Sequence, residues 1–231
     1  MKFIDDSEFY SIQYKTLLET EMELFFSPMA CSLASRTVLY EVGAEARFTQ
    51  VDGKAKRTLD GRDYWQINPM GQVPALRTPD GWVLTENPAV LQYLAEAWPE
   101  AGLLPTAADA RARVRQWLGF IGTELHKAVF VPLLDPKASA DVKAYSMDKA
   151  ALRLATLEAH LQQHEFLEGG YGIADIYLAV VLNWAPYAGV DLAAWPAVKA
   201  YHRRIGQREA VARALREEFV LYQEEQRLRA A

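Results

Sequence analysis

The hydrophobic pattern of this chain changes once, and the change limits the folds open to it. Up to Trp98, short apolar runs alternate with helical spacing in the order β-α-β-α-β-β-α, which predicts an α/β layer of about 80 residues. A stretch rich in Pro, Gly and Ala follows, WPEAGLLPTAAD. From Asp109 onward, apolar residues recur at i, i+3, i+4 and i+7, a spacing that predicts amphipathic helices. We therefore expect an α/β unit followed by an all-α unit.

Composition narrows the classes of partner. The chain has 231 residues, a net charge of −5 and no basic stripe, which argues against nucleic acid as a partner. Its single cysteine cannot form an internal disulfide and favours a reducing compartment. The first residues lack the basic and apolar regions of a signal peptide, and no apolar stretch reaches the length of a bilayer span. These features predict a cytoplasmic protein with no membrane partner.

Cys31 is the first candidate for chemistry. It follows the apolar run ELFF at the point where helical spacing begins in ACSLAS. The free backbone N–H groups and the dipole of a helix start lower the pKa of a thiol, while the alternative is a small apolar residue in a core. No second cysteine lies three positions on, so dithiol redox chemistry within one chain is excluded. Ser32 offers a neighbouring hydroxyl, or is an ordinary first-turn residue.

Two further motifs lie at the ends of predicted elements. Val73-Pro74 interrupts the apparent strand QVPALRT, and since proline cannot donate to a sheet ladder, it marks an edge strand. Glu86 precedes a helix in which Asn87 is predicted as the N-cap and Pro88 as the first helical residue. A helix start beside a carboxylate suits a zwitterionic amino acid, or is an ordinary cap.

A second stripe runs beside the apolar stripe of the helix that begins near Asp109. Its members are Gly119, Gly122, Thr123, His126 and Phe130. Small residues at helical spacing leave a shallow groove, which serves either close helix packing or a ligand. His126 is the titratable member of the stripe, and the alternative for it is a structural histidine.

Five segments together resemble glutathione transferases, most closely the bacterial, cysteine-containing beta class. They are ACSLAS, INPMGQVPAL, LTENPAVLQYLAE, WLGFIGTELHKAVFVPLL and GIADIYL with a following WA, and they run from about Met22 to about Phe219. The resemblance implies a thioredoxin-like N-terminal domain at 22–101, an all-helical GST C-terminal domain at 109–231 and a homodimer. Because the family chain begins where Met22 stands, residues 1–21 are expected to be an N-terminal extension, or to result from an upstream start codon chosen in error.

The resemblance also implies a glutathione site. Cys31 and His126 would be catalytic and act at the glutathione sulfur. The remaining glutathione contacts would come from Ser32, Lys56, Val73, Pro74, Glu86, Asn87, Thr123, Glu124 and Lys127. In the family the bond before this proline is cis, and the residue before it pairs with the cysteinyl backbone of glutathione. Lys56 would approach the glycine carboxylate, or remain a solvated loop charge.

A second-substrate pocket follows from the same resemblance. Gly119, Phe120 and Phe130 would line it, and Trp184 is a further candidate for which core packing is favoured. Two positions depart from the family pattern: Asn87 replaces Ser or Gly, and Gly119 replaces an asparagine. The second change enlarges the pocket and removes one polar contact.

The implied activity joins the glutathione thiolate to hydrophobic electrophiles, with glutathione as co-substrate and no metal. Two alternatives stay open. A glutathione-dependent isomerase or thiol-disulfide reductase would share the glutathione contacts and differ in the second pocket. A non-catalytic binding or regulatory protein on the same fold would have lost glutathione ligands.

Overall fold

A computed structural model describes residues 21–230, so the predicted extension, residues 1–21, lies outside the described residues except for Glu21. The strands are β1 Met22–Phe26, β2 Ala46–Asp52, β3 Arg57–Thr58, β4 Ala75–Arg77 and β5 Val83–Thr85. They form one sheet in the order β3-β2-β1-β4-β5. β2 is parallel to β1, whereas β4 is antiparallel to it. This mixed sheet is the thioredoxin-like arrangement expected from the sequence.

Two helices belong to the sheet unit, and the rest of the described chain is helical. The bounds are α1 Ser32–Glu41, α2 Asn87–Ala97, α3 Ala108–Phe120, α4 Val131–Leu134, α5 Ala140–Leu161, α6 Ile173–Leu182, α7 Pro196–Gly206 and α8 Glu209–Ala230. An α/β unit followed by an all-α unit is thus confirmed. Among residues 21–230, no helix has both the length and the apolar character that a bilayer crossing requires.

The segment between α3 and α4, Ile121–Phe130, is π-helical. The backbone N–H of Val131 donates to the carbonyl of His126, five residues back. The segment is helical as predicted, but its hydrogen bonds span one residue more than those of an α-helix. π-Helical turns are rare and concentrate at functional sites.

Helix α1 lies at the centre of the molecule. Every residue from Ser32 to Leu39 is buried, because α1 packs against α2 on one side and against α6 and α8 of the helical unit on the other. α6 is buried at all ten positions, as its apolar sequence predicts. The start of α1 therefore stands where the two units meet.

Asp175 fixes the start of α6. Its carboxylate accepts hydrogen bonds from the backbone N–H groups of Gly172 (2.9 Å) and Leu167 (3.0 Å) and from the hydroxyl of Tyr201 (2.7 Å). Burial raises the pKa of Asp175 in spite of these donors. A Cβ at Gly172 would lie 2.6 Å from the carbonyl oxygen of Leu103, so a serine or threonine cap does not fit without a shift of the backbone.

Candidate active site

A cavity of about 430 Å³ opens between the turn before α1 and the helical unit. Its wall consists of Pro28, Met29 and Ala30 from the turn, and of His126, Val131, Leu134, Asp135, Asn183, Trp184, Tyr187 and Tyr222 from the helical unit. Most of these side chains are apolar or aromatic. The cavity suits a small hydrophobic molecule held by a few polar groups.

Cys31 immediately follows that turn and occupies the N-cap position of α1. Only 8% of it is exposed, and its Sγ donates a hydrogen bond to the carbonyl of Val73 at 3.3 Å. Burial raises the pKa of the thiol from 9.0 to about 12, although the charge of Lys127 and the backbone at the helix start act in the opposite direction. The predicted lowering of this pKa is therefore wrong, because desolvation of the thiolate outweighs the effect of the helix start. Cys31 is a neutral hydrogen-bond donor at neutral pH.

The Val73–Pro74 bond is cis, as the resemblance implied. β4 begins only at Ala75, so the proline stands before the strand and not inside it. The preceding carbonyl, that of Gln72, accepts hydrogen bonds from the Tyr64 hydroxyl and the Asn68 amide. These bonds hold the loop in place and set the Val73 carbonyl against Cys31.

Asn87 is not the N-cap of α2. That position belongs to Glu86, whose φ is 64°, and Asn87 is the first helical residue. Its buried side chain donates to the carbonyl of Cys31 at 3.1 Å and accepts from the Ser35 hydroxyl at 2.8 Å. The amide thus joins the starts of α1 and α2, and both of its polar ends are used inside the protein. The Glu86 carboxylate is exposed beside it.

Ser32 is fully buried and is turned away from the cavity. Its hydroxyl donates to the carbonyl of Ser27 and accepts from the Ser27 N–H. These two bonds close the turn before α1. The Ser32 hydroxyl is thus engaged within the protein, and its contact with glutathione stays a prediction.

His126 reaches the cavity from the π-helical segment. Its Nδ1 lies 2.8 Å from the hydroxyl of Tyr177 on α6, and its ring packs edge-on against Trp184 with centroids 4.9 Å apart. Burial, together with the charge of Lys127, lowers the pKa of His126 to about 4. The imidazole is therefore neutral at pH 7, with Nε2 as the ring atom left for other contacts.

The other predicted polar contacts are distributed around this centre. Lys127 is exposed on the π-helical segment, and Lys56 donates to the Gly71 carbonyl at 2.7 Å, beside the loop that carries Val73. Thr123 is exposed, and its hydroxyl donates to the carbonyl of Gly119 at the end of α3. Glu124 instead pairs with Arg153 of α5 at 2.5 Å, so its carboxylate is engaged inside the helical unit.

The three residues predicted for a second-substrate pocket do not line the cavity. Phe130 is fully buried and packs against Trp184, Phe120 packs against Trp117, and Gly119 is exposed. Trp184, for which core packing was favoured, does form part of the wall. No pattern in the sequence pointed to the part played by Met29, whereas Tyr177 could have been found, since a hydroxyl inside an apolar helix requires a partner.

The mixed sheet, the cis-proline loop against Cys31 and the all-helical second unit define a class of two-domain proteins whose first domain is thioredoxin-like. The chain matches the family models "Glutathione S-transferase, N-terminal domain" over residues 20–96 and "Glutathione S-transferase, C-terminal domain" over residues 123–209. It belongs to the glutathione S-transferase family. Within residues 21–230, no group of three His, Cys, Asp or Glu side chains is arranged to hold a metal ion.

The relatives include bacterial enzymes over most of the chain. The glutathione S-transferase GstA of Escherichia coli O157:H7 is 38% identical over 196 residues, which are 84% of this chain and 97% of the relative. A sphingomonad glutathione S-transferase complexed with glutathione is 43% identical with a TM-score of 0.82, covering 85% of this chain and 98% of the other. The beta class enzyme of Sphingomonas chungbukensis is 41% identical with the same TM-score and coverage, 0.82, 85% and 98%.

Proposed function

We propose that this protein is a transferase that joins glutathione to small hydrophobic electrophiles. The observation that carries the proposal is the position of Cys31: a buried, protonated thiol that directly follows the turn forming one wall of an apolar cavity. A sulfur nucleophile beside this thiol would face an electrophile in the cavity. The glutathione bound in the similar sphingomonad enzyme supports the identity of the nucleophile.

Glutathione would lie across the ends of β4 and α2. The backbone of Val73, half-buried beside Pro74, would pair with the cysteinyl residue, and Lys56 would meet the glycine carboxylate. Glu86 is the exposed acid at the start of α2 and would bind the ammonium of the γ-glutamyl end. Asn87 supports this site by holding α1 and α2 together, since its side chain is already bonded.

The reaction needs glutathione as its thiolate. Cys31 would exchange its hydrogen bond to the Val73 carbonyl for one to the glutathione sulfur, with the Lys127 charge nearby, and both favour the anion. Lowering the glutathione pKa by two units requires about 2.7 kcal/mol, which is within the reach of such donors. The thiolate then forms the S–C bond, and the leaving group departs with the bonding electrons. His126 is neutral and lines the cavity, where its Nε2 would donate or accept a hydrogen bond with the second substrate.

The alternative activities differ in what they require of Cys31. A thiol-disulfide reductase needs a thiolate at neutral pH, and a thiol with a pKa near 12 supplies little of it. An isomerase would use the same glutathione site, so maleyl substrates distinguish it from a conjugating enzyme. A non-catalytic binding protein would bind glutathione weakly or not at all.

We further propose a cytoplasmic homodimer with domains at 22–101 and 109–231. Several large apolar side chains on the sheet unit are exposed, among them Trp65 (48%), Met70 (68%) and Trp82 (47%). Exposed apolar groups of this size mark protein interfaces when they lie together. Light scattering after size-exclusion chromatography would give twice the chain mass for a dimer.

The test of the main proposal is conjugation by the purified chain. With 1-chloro-2,4-dinitrobenzene, glutathione-dependent formation of the thioether is expected, together with a thermal shift in millimolar glutathione. Binding without conjugation would favour an isomerase, to be checked with a maleyl substrate. The absence of both binding and conjugation would reject the proposal.

A further inference from the structure

Two hydrogen bonds from the helical unit hold the turn before Cys31, one at the backbone N–H of Met29 and one at its carbonyl. Met29 has a φ of 61°, a left-handed conformation that residues other than glycine rarely adopt. Its N–H donates to Oε2 of Glu218 on α8 at 2.8 Å. Its carbonyl accepts from the indole N–H of Trp184 at 2.9 Å. Surrounding contacts of this kind are what keep an unfavourable backbone conformation populated.

Glu218 is a costly residue for the fold itself. It is 0% exposed, and its partner Arg36 lies 3.2 Å away, Nε to Oε1. The Arg36 guanidinium stacks between the rings of Phe26 and Phe48, at 4.2 Å and 4.3 Å. Burial nevertheless raises the pKa of Glu218 to about 7, so the charge of Arg36 does not fully offset desolvation. An apolar residue would pack here at less cost, and fold stability alone does not account for this carboxylate.

The neighbouring acid on α8, Glu217, helps to dock the helix on α1, whereas the contact with the turn is made by Glu218. Glu217 contacts α1 through the hydroxyl of Tyr40 at 2.5 Å and through Arg36 at 3.4 Å. Its carboxylate thus fixes α8 on α1, as Glu218 does through Arg36. Glu218 is the one of the two that also bonds the N–H of Met29.

We propose that Glu218 is a positioning residue for the conjugation reaction. Resting on the proposed function, this role follows from three facts: Glu218 bonds the turn, the turn supplies Pro28, Met29 and Ala30 to the cavity wall, and Cys31 comes next. Glu218 therefore sets the shape of the second-substrate pocket and the packing around the thiol from a helix that is remote in sequence. The glutathione contacts proposed at Val73 and Glu86 lie on other elements and are not part of the turn.

The test compares Glu218→Gln with its neighbour Glu217→Gln. Glu218→Gln is expected to raise the KM for 1-chloro-2,4-dinitrobenzene roughly tenfold, the effect of losing one charge-assisted hydrogen bond, while the KM for glutathione changes less than about twofold. Alkylation of Cys31, the single cysteine, by iodoacetamide should accelerate by about the same tenfold as the turn loosens. Glu217→Gln should change neither quantity, although both variants weaken the α1–α8 contact.

Alkylation is measured without glutathione, so it decides the proposal even if the chain conjugates nothing. Equal behaviour of the two variants, or wild-type alkylation of Glu218→Gln, would overturn the role of Glu218. If Glu218→Gln does not fold, Trp184→Phe removes the other bond to Met29 and keeps an aromatic ring in the wall. Faster alkylation in that variant supports control of Cys31 through the turn, and an unchanged rate overturns it.

Discussion

The starts of α1 and α6 both bury a titratable side chain, yet the two are completed differently. Asp175 at α6 is 1% exposed and receives three hydrogen bonds. Cys31 at α1 is 8% exposed and makes one hydrogen bond, to the Val73 carbonyl at 3.3 Å. Burial raises the pKa of both groups. The three hydrogen bonds of Asp175 serve the fold, whereas the Cys31 thiol can exchange its single weak hydrogen bond for one to a ligand.

The largest loss of stability is expected at the α6 start. Asp175→Ala leaves two backbone N–H groups and the Tyr201 hydroxyl buried without this acceptor, and should lower the free energy of unfolding by about 3–5 kcal/mol. Urea denaturation measures the change. Asp141→Ala, at an exposed first-turn position of α5, is the control and should change it by less than about 0.5 kcal/mol. If Asp175→Ala and Asp141→Ala changed the free energy of unfolding equally, the hydrogen bonds of Asp175 would not be what stabilises the start of α6.

A smaller loss is expected from Gly172→Ser. Serine is ordinarily a good N-cap, but its Cβ would meet the Leu103 carbonyl oxygen at 2.6 Å, so the free energy of unfolding should fall by about 1–3 kcal/mol. Gly170→Ser is the matched control, because nothing lies within 4 Å of a Cβ there. A stabilised Gly172→Ser variant would show that the backbone at Leu103 yields.

Cys31→Ala should change the fold less and the reaction more. The lost thiol hydrogen bond contributes about 1 kcal/mol or less to stability, while removal of a donor from the reacting sulfur should lower kcat/KM for conjugation at least about tenfold. Cys31→Ser keeps a donor and should retain more activity than Cys31→Ala. Wild-type rates in the alanine variant would assign Cys31 to packing.

The pH dependence of Cys31 alkylation can be measured on the unsubstituted chain. With a pKa near 12, the rate of alkylation by iodoacetamide should rise about tenfold for each pH unit from 7 to 10 without a plateau. A plateau below pH 8 would instead indicate the lowered pKa that the helix start predicted. The pKa of Cys31 in the folded chain lies above the ordinary 9.0. The contribution of the protonated thiol to the free energy of unfolding is therefore complete below pH 9 and is lost as the pH rises toward 12.

Local patterns in the sequence were enough for much of the fold. The strand and helix order, the buried character of α6 and the position of Cys31 at a helix start all follow from spacing over a few residues. The cis bond before Pro74 followed from the family resemblance. These features depend on residues that are close together in the sequence, either through their spacing or through a short continuous motif.

Features that depend on distant partners were missed. Asn87 reads as a cap, but its amide bonds Ser35 and Cys31, which are 52 and 56 residues away. The pKa of Cys31 depends on how deeply α1 is packed, which composition does not give. The π-helical segment likewise has apolar residues at ordinary helical spacing, so its longer hydrogen bonds cannot be recognised from the sequence.

The bond between Met29 and Glu218 joins residues 189 positions apart, and this separation affects how the protein is made. During synthesis the sheet unit leaves the ribosome first, and domains tend to fold as they emerge. The turn beside Cys31 cannot reach its final form until α8 has also emerged and docked. A nascent chain can therefore complete its sheet long before it has a working active site, and an unfinished product would carry a loosely held thiol.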